Sequence, residues 1–260
     1  MSVTRDKNTG KWMSQIRVKD WTGKEIHKKK RGFNTKKEAL QWVNQTTFPK
    51  VFKLKGGAGS SNVKLAKTKS QAKKLINKAF GRGFSQYDGL SRLKDTWNGF
   101  LHGRDSFIGL CKSFARLFIR TEFAKMHCKE KGYVYFQEFI PNNEFDIRVC
   151  VVDNKAFFIK RMCREGDFRA SGSGRIIYDK NQIDERCVKI AFDINERLKT
   201  QSIGFDFVFD KKNNPLIVEI SYGFVAHLYD NCQGYWTKDL QWHEGNNFDF
   251  CGWMVESLIR

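Results

Sequence analysis

The sequence predicts an α+β protein in which a small strand-and-helix unit precedes a larger α+β body. Three observations support this. Residues 10–18 alternate large apolar and polar side chains and lead through a turn into a second strand and a helix start. Further on, strand-like runs at 133–140, 146–153, 155–162, 205–209 and 216–220 are interleaved with amphipathic helix patterns at 69–79, 106–131 and 181–199. Hydrophobic residues make up 40% of the chain and aromatics 14%, enough for a packed core rather than a disordered tail.

Within the first unit, Gly10 to Val18 is the first strand and the turn falls at Asp20–Lys24. Glu25 to Gly32 is a second strand crowded with Lys28, Lys29, Lys30 and Arg31. Thr35 is placed to cap a helix, with Glu38 three residues on as in a capping box, and Ala39, Leu40, Trp42 and Val43 supply its apolar face. From Thr46 the character changes. A basic strand, Phe48 to Lys55, enters the glycine-rich run Gly56 to Val63 with no flexible linker before it. We therefore expect one domain over 1–45 and another over 46–260. The Tyr222–Arg260 stretch carries Trp236, Trp242, Trp253, Tyr229, Tyr235 and His243. It reads either as an aromatic, polar lid on an acceptor site or as rings packing a last helix onto the core. The second is expected, because burial is the usual fate of such rings.

No apolar run is long enough to span a membrane, and Met1 to Lys7 lacks the apolar stretch of a signal peptide. The seven cysteines are an odd number, widely spaced, and include no Cys-x-x-Cys. That argues against a disulfide framework or a structural zinc site and suits reduced thiols in the cytoplasm. The formal net charge of +19 is unevenly placed: residues 1–45 hold 12 Lys/Arg against 4 Asp/Glu, residues 51–130 hold 17 against 5, and residues 131–260 hold 17 against 19. A basic front half suits nucleic acid or nucleotide phosphates, although a lysine-rich solvated surface would account for much of the excess.

The segments Gly10-Lys11-Trp12, Gln15-Ile16, Gly23-Lys24, Lys29 to Phe33 and Thr35 to Ala39 resemble the Arm, or AP2-like, DNA-binding domain of tyrosine-type integrases. The resemblance covers about 40 residues and implies a three-stranded sheet backed by one helix, with strand side chains entering the major groove. It makes Lys11, Arg17, Lys28, Lys29, Lys30 and Arg31 candidates for contacting duplex DNA. Lysine also protects sheet edges from aggregation, which is the plainer account of the same cluster. No recombinase catalytic domain follows.

Four constellations carry possible chemistry. Gly56 to Val63 lets backbone N–H groups approach a phosphate, with Lys53 just ahead of it; the loop is neither a Walker A nor a dinucleotide fingerprint. Gln137-Glu138-Phe139-Ile140 ends an apolar strand where it can meet the edge and amino group of adenine, and Asp146 can take ribose hydroxyls. Either carboxylate alone would read as a solvated strand-end charge. Arg161, and Arg169 ahead of a flexible Ala170 to Gly174 segment, can fork onto phosphates. Asp206 and, thirteen residues on, Glu219 lie on strands joined by a short turn, where two carboxylates can bridge magnesium to phosphate oxygens. Without metal the two are expected to repel each other, so that neutralising both leaves the fold largely intact.

In this order, Lys53 with the glycine-rich loop, Gln137 to Ile140, Asp146-Ile147-Arg148, Gly166-Asp167-Phe168-Arg169 and Gly204-Phe205-Asp206 with Val218-Glu219-Ile220 resemble the ATP-grasp superfamily over about residues 48–224. The likeness is nearest to RimK and glutathione-synthetase-like carboxylate–amine ligases. It implies two α+β subdomains sandwiching ATP, with Mg2+ as cofactor and a carboxylate substrate and amine acceptor joined through an acyl-phosphate. It implies nucleotide contacts from Lys53, Lys55, Gly57, Gly59, Ser60, Ser61, Gln137, Glu138, Phe139, Ile140, Asp146 and Ser171. Catalytic contacts to phosphates fall to Arg161 and Arg169, and metal binding to Asp206, Glu219 and Ser221. The chain departs from the family at Ser221, where members carry Asn, and in having the integrase-like segment where members carry a preceding α/β domain.

Overall fold

The computed structural model describes residues 2–5, 12–19, 25–30, 35–54, 63–85, 89–101, 103, 105–117, 129–164 and 166–259. The chain divides into two compact units, Met1–Phe139 and Ile140–Arg260. Among the described residues, no helix is long and apolar enough to cross a membrane.

In the first unit, β1 (Ser2–Arg5), β2 (Trp12–Lys19) and β3 (Glu25–Lys30) form an antiparallel meander. The helix α1 (Lys36–Gln45) starts as its sequence dictates, with the Thr35 hydroxyl accepting from the Glu38 N–H at 3.2 Å. A second antiparallel sheet follows, ordered β5 (Lys64–Ala66), β4 (Lys50–Lys53), β6 (Tyr135–Glu138). Helix α2 (Lys69–Ala79) is capped by Thr68, which accepts from the Gln71 N–H at 3.3 Å, and it buries Ala72, Ile76 and Ala79. Ala39 and Val43 of α1 share one core with Phe52, Ala66, Ala72, Ile76, Phe84 and Val134. The helix of the integrase-like segment is therefore packed into the body that follows it, which accounts for the missing linker.

Among the described residues, two further helices belong to this unit. α3 (Gly89–Leu101) was not anticipated from sequence, although Leu93, Trp97 and Leu101 recur at helical spacing. α4 (Phe107–Ala115) occupies the start of the helix expected over 106–131, of which residues 118–128 lie outside the described residues, and Glu130 bridges to Phe84.

The second unit is a seven-stranded antiparallel sheet. Its path runs β11 (Pro215–Ser221), β10 (Ser202–Phe209), β7 (Phe145–Val152), β8 (Lys155–Met162), β12 (Gly234–Thr237), β13 (Trp242–Glu244), with β9 (Ile176–Ile177) beside β8. Strict alternation sorts the side chains by face. Ile147, Val149, Val151, Phe158, Ile203, Phe205 and Phe207 pack under α5 (Glu185–Leu198), which contributes Val188, Ala191 and Phe192. The expected helix over 181–199 begins later because Asp184 caps α5, after a separate 3-10 turn at Lys180–Gln182. On the opposite face, Cys150, Val152, Phe157 and Ile159 are covered by the C-terminal segment, including Tyr229 and Phe250 of α6 (Phe250–Ile259). Phe157 is fully buried, edge-on to Tyr229 and stacked on Phe250. Trp236 packs on Phe158, and Trp253 on Phe248 and Tyr235, so these rings pack onto the core, whereas Tyr222 is exposed. The strands β12 and β13 within this stretch were not read from sequence.

Candidate functional site

The face that carries Phe157 and Ile159 changes from apolar to charged along its length. Asp146, Arg148 and Cys150 alternate onto it from β7, Arg161 from β8 and Asp206 from β10. Register then makes neighbours of residues far apart in sequence: Asp146 lies opposite Arg161, and Arg148 opposite Asp206. On the other side of β10, Asp206 lies opposite Glu219. There the register steps two residues along β11 for one along β10, between the Phe207–Ile217 and Asp206–Glu219 pairs. This bulge leaves Ile217 facing α5 and turns Glu219 to the charged face.

The result is a ladder of five charges. Arg161 forks onto Asp146 with two bonds of 2.7 Å and reaches Asp206 at 2.9 Å. Arg148 forks onto Asp206, with its Nη2 at 2.8 Å from Oδ2, and lies 3.9 Å from Glu219. Arg161 and Asp206 are 5% and 6% exposed, whereas the Glu219 side chain is 48% exposed. The two carboxylates named for metal binding thus meet the same guanidinium. The expectation that they repel one another fails, because Arg148 and Arg161 neutralise Asp206.

Electrostatics separates the two buried aspartates. Burial pushes the Asp146 carboxyl up to about 6, against the pull of Arg161. Burial also acts on Asp206, but Arg161 and Arg148 together outweigh it and hold this carboxyl below the usual range. Both guanidiniums lose solvation yet are held charged, Arg148 by Asp206 and Arg161 by Asp206 with Asp146. Asp206 is therefore an ionised oxygen donor at neutral pH. Deeper in the same face, burial raises the Cys150 thiol to about 12, so it sits against the Tyr229 hydroxyl as an inert packing group.

Arg169 lies in the segment between β8 and β9. There it donates to Asp167 at 2.8 Å, while Arg164 donates to the Ser171 carbonyl at 3.0 Å. Ser221, at the end of β11, donates its hydroxyl to the Gly223 carbonyl at 2.8 Å. In the first unit, Lys53 ends β4 opposite Tyr135, and Gln137 and Glu138 end β6. Glu138 is held by the Lys50 ammonium, which faces it across the β4–β6 ladder and is only 3% exposed. Phe139 and Ile140 follow β6, half-buried. Lys55, Gly57, Gly59, Ser60, Ser61, Lys11 and Arg31 lie outside the described residues. Arg17 is placed on β2 opposite His27, and Lys28, Lys29 and Lys30 on β3 opposite Ile16, Gln15 and Ser14.

Two functional candidates escaped the sequence reading, Arg148 and Lys50. The first was visible in Asp146-Ile147-Arg148, since residues two apart share a strand face. Its tie to Asp206 depends on long-range register. Lys50 reads as one lysine of a basic strand, and only the pairing of β4 with β6 singles it out.

Comparison with known proteins identifies two segments. Residues 2–47 match the Arm DNA-binding domain, and residues 122–225 match the RimK-like ATP-grasp domain, which includes the whole ladder. No curated protein matches the chain. Among solved structures, it is similar to the biotin carboxylase domain of Hydrogenobacter thermophilus 2-oxoglutarate carboxylase in complex with MgADP (10% identity, TM-score 0.48, 86% of this chain and 39% of that one). Campylobacter jejuni biotin carboxylase is similar at 12% identity and TM-score 0.43, over 75% of this chain and 35% of that one. The ATP-grasp ligase PsnB, complexed with precursor peptide PsnA2 and AMPPNP, is similar at 12% identity and TM-score 0.40, over 88% and 51%. The chain therefore spans about a third to a half of the length of these proteins.

Proposed function

We propose that the protein is an ATP- and magnesium-dependent ligase of the carboxylate–amine type, acting through an acyl-phosphate. The observation that carries this reading is the Asp206–Glu219 pair on one sheet face, with Arg148 in reach of both, inside the segment that matches a RimK-like ATP-grasp domain. The oxygen donors are of the kind a hard cation takes: Asp206, buried and ionised, whose two oxygens also accept from Arg148 and Arg161, and Glu219, partly exposed, with Ser221 two residues beyond it. Asp206, Glu219 and Ser221 would hold magnesium, which when bound supplies charge neutralisation at phosphate oxygens.

This chain's cations complete that task. Arg161, braced by two aspartates, and Arg169 would contact phosphate oxygens, with Lys53 also assigned to phosphates. Glu138 is assigned to the adenine edge, with Gln137, Phe139 and Ile140. Asp146 is assigned to ribose hydroxyls, because a carboxylate forked by one arginine keeps lone pairs for further donors. A substrate carboxylate oxygen would attack the γ-phosphorus of ATP and break its bond to the β–γ bridging oxygen, so that ADP leaves. An amine would then attack the acyl carbon, releasing phosphate and a proton. The protein positions the reactants and spreads charge, with no covalent enzyme intermediate. The six described cysteines are all free thiols, which suits a cytoplasmic protein.

The match of residues 2–47 favours a second reading, a DNA-binding protein of a phage or mobile element whose ATP-grasp module is degenerate and non-catalytic. Titration with ATP–magnesium and with duplex DNA at two salt concentrations separates the two. ADP release across a panel of carboxylates and amines tests turnover. Nucleotide binding without turnover on any pair would favour the second reading.

A further inference from the structure

Residues 35–85 hold 12 Lys/Arg and a single acidic residue, Glu38, so this stretch cannot neutralise itself. The structure shows where much of that charge goes. α2 buries Ala72, Ile76 and Ala79 and leaves Lys73, Lys74 and Lys78 exposed, with exposed Lys67 before it and exposed Arg82 after it. The helix carries no Asp or Glu, and its lysines stand as two like-charged i,i+4 pairs, Lys69–Lys73 and Lys74–Lys78. Such pairs destabilise a helix by about 0.2–0.5 kcal/mol each. Lys69 is partly accounted for, since it donates to the Asn44 carbonyl at the C-terminal end of α1, at 3.0 Å. That same contact, with the shared core of Ala39, Val43, Ala72 and Ile76, fixes α2 against the last element of the Arm-matching segment.

We infer that the basic surface of α2, with Lys73, Lys74, Lys78 and Arg82, binds the phosphate backbone of duplex DNA, extending the footprint of the Arm-matching segment beyond residue 47. The inference rests on the DNA-binding reading of residues 2–47. The occupant follows from charge and continuity. A uniform field of exposed cations, without an apolar pocket or paired acids among them, suits a regular polyanion rather than a structured protein partner. The neighbouring element of the same core belongs to a segment matching a DNA-binding domain. Phosphate contacts carry no sequence information, so α2 adds affinity and salt dependence but not specificity.

The test uses the full chain and measures binding to a duplex of arbitrary sequence across salt concentrations. K73Q/K74Q/K78Q/R82Q should lower the slope of log Kobs against log salt by about 2–4, each lost phosphate contact contributing about 0.9. Glutamine keeps the helix propensity of lysine, and the smaller K73Q/K74Q variant, followed with its unfolding midpoint, controls for damage to the fold. An unchanged slope in both variants, while replacement of Lys28, Lys29 and Lys30 by Ala abolishes binding, overturns the inference and spares the DNA reading. If the wild type binds no DNA even at low salt, both fall. Displacement of the duplex from the wild type by poly-glutamate at matched charge, with equal loss of poly-glutamate binding in the α2 variant, would assign the surface to acidic polypeptide instead.

Discussion

The two units treat charge in opposite ways. In the second, arginines and carboxylates are interleaved: Asp146, Arg161, Asp206, Arg148 and Glu219 form one ladder. On α5, Glu185 with Lys189 and Asp193 with Arg197 stand four residues apart, opposite in sign. In the first unit, α2 presents lysine after lysine with no acid on the helix. An arginine of the ladder is therefore part of the fold, and removing it leaves a buried aspartate short of a partner. On α2, Lys69 reaches the Asn44 carbonyl and Lys78 the Phe84 ring, while Lys73 and Lys74 are exposed beside like charges, and removing one of these relieves repulsion. The same residue types thus serve structure in one place and recruitment in the other.

Substitutions can break that contrast. The largest effect is expected at Arg161, whose loss strands the buried Asp146 and leaves Asp206 to Arg148 alone. Arg161→Leu should destabilise by about 3–5 kcal/mol in denaturant unfolding, the cost of leaving buried charge unpaired. A loss below about 1 kcal/mol would mean the ladder is not structural. Phe157→Ala in the apolar half of the same face should cost about 3–5 kcal/mol. Comparing these two variants weighs charge against packing on one sheet.

The ladder also sets a pH dependence. Asp146 takes up its proton near pH 6 in the folded chain but only near 3.8 when unfolded. The folded state thus holds more protons between these values, and stability falls as pH rises from about 4 to 6. Asp146→Asn should abolish that slope in thermal unfolding followed across this window. Asp206 acts in the opposite sense at lower pH: its stabilisation is present above the usual carboxylate range and is lost as acid protonates it. The smallest effect belongs to α2. Lys73→Gln should raise stability by a few tenths of a kcal/mol, the reverse sign of Arg161→Leu.

How far sequence reading reached follows from the range of the contacts involved. The Thr35 cap, α2 over 69–79 and the Asp206–Glu219 pair all rest on neighbours within about a dozen residues, and all were legible. The short turn at 211–214 forces β10 against β11, and only the bulge that aims Glu219 was hidden. The ladder as a whole was not legible, because it needs β10 to settle beside β7 with Asp206 opposite Arg148, 58 residues away. Likewise Lys50 meets Glu138 across 88 residues. The packing of α1 against α2 was hidden for a further reason: the integrase-like resemblance suggests a self-contained segment, while Ala39 and Val43 belong to a core shared with Ile76 and Phe84.

The central claim is that the ladder end bearing Asp206 and Glu219 is a magnesium–phosphate site, and Glu219→Gln tests it most directly. Glu219 is half-exposed and only 3.9 Å from Arg148, so its neutralisation should leave the unfolding midpoint almost unchanged. Calorimetric titration of ATP with and without magnesium should show a magnesium-dependent gain in affinity for the wild type, and its loss in the variant. ATP affinity indifferent to magnesium in the wild type, or an undiminished magnesium effect in a folded Glu219→Gln protein, would contradict the assignment.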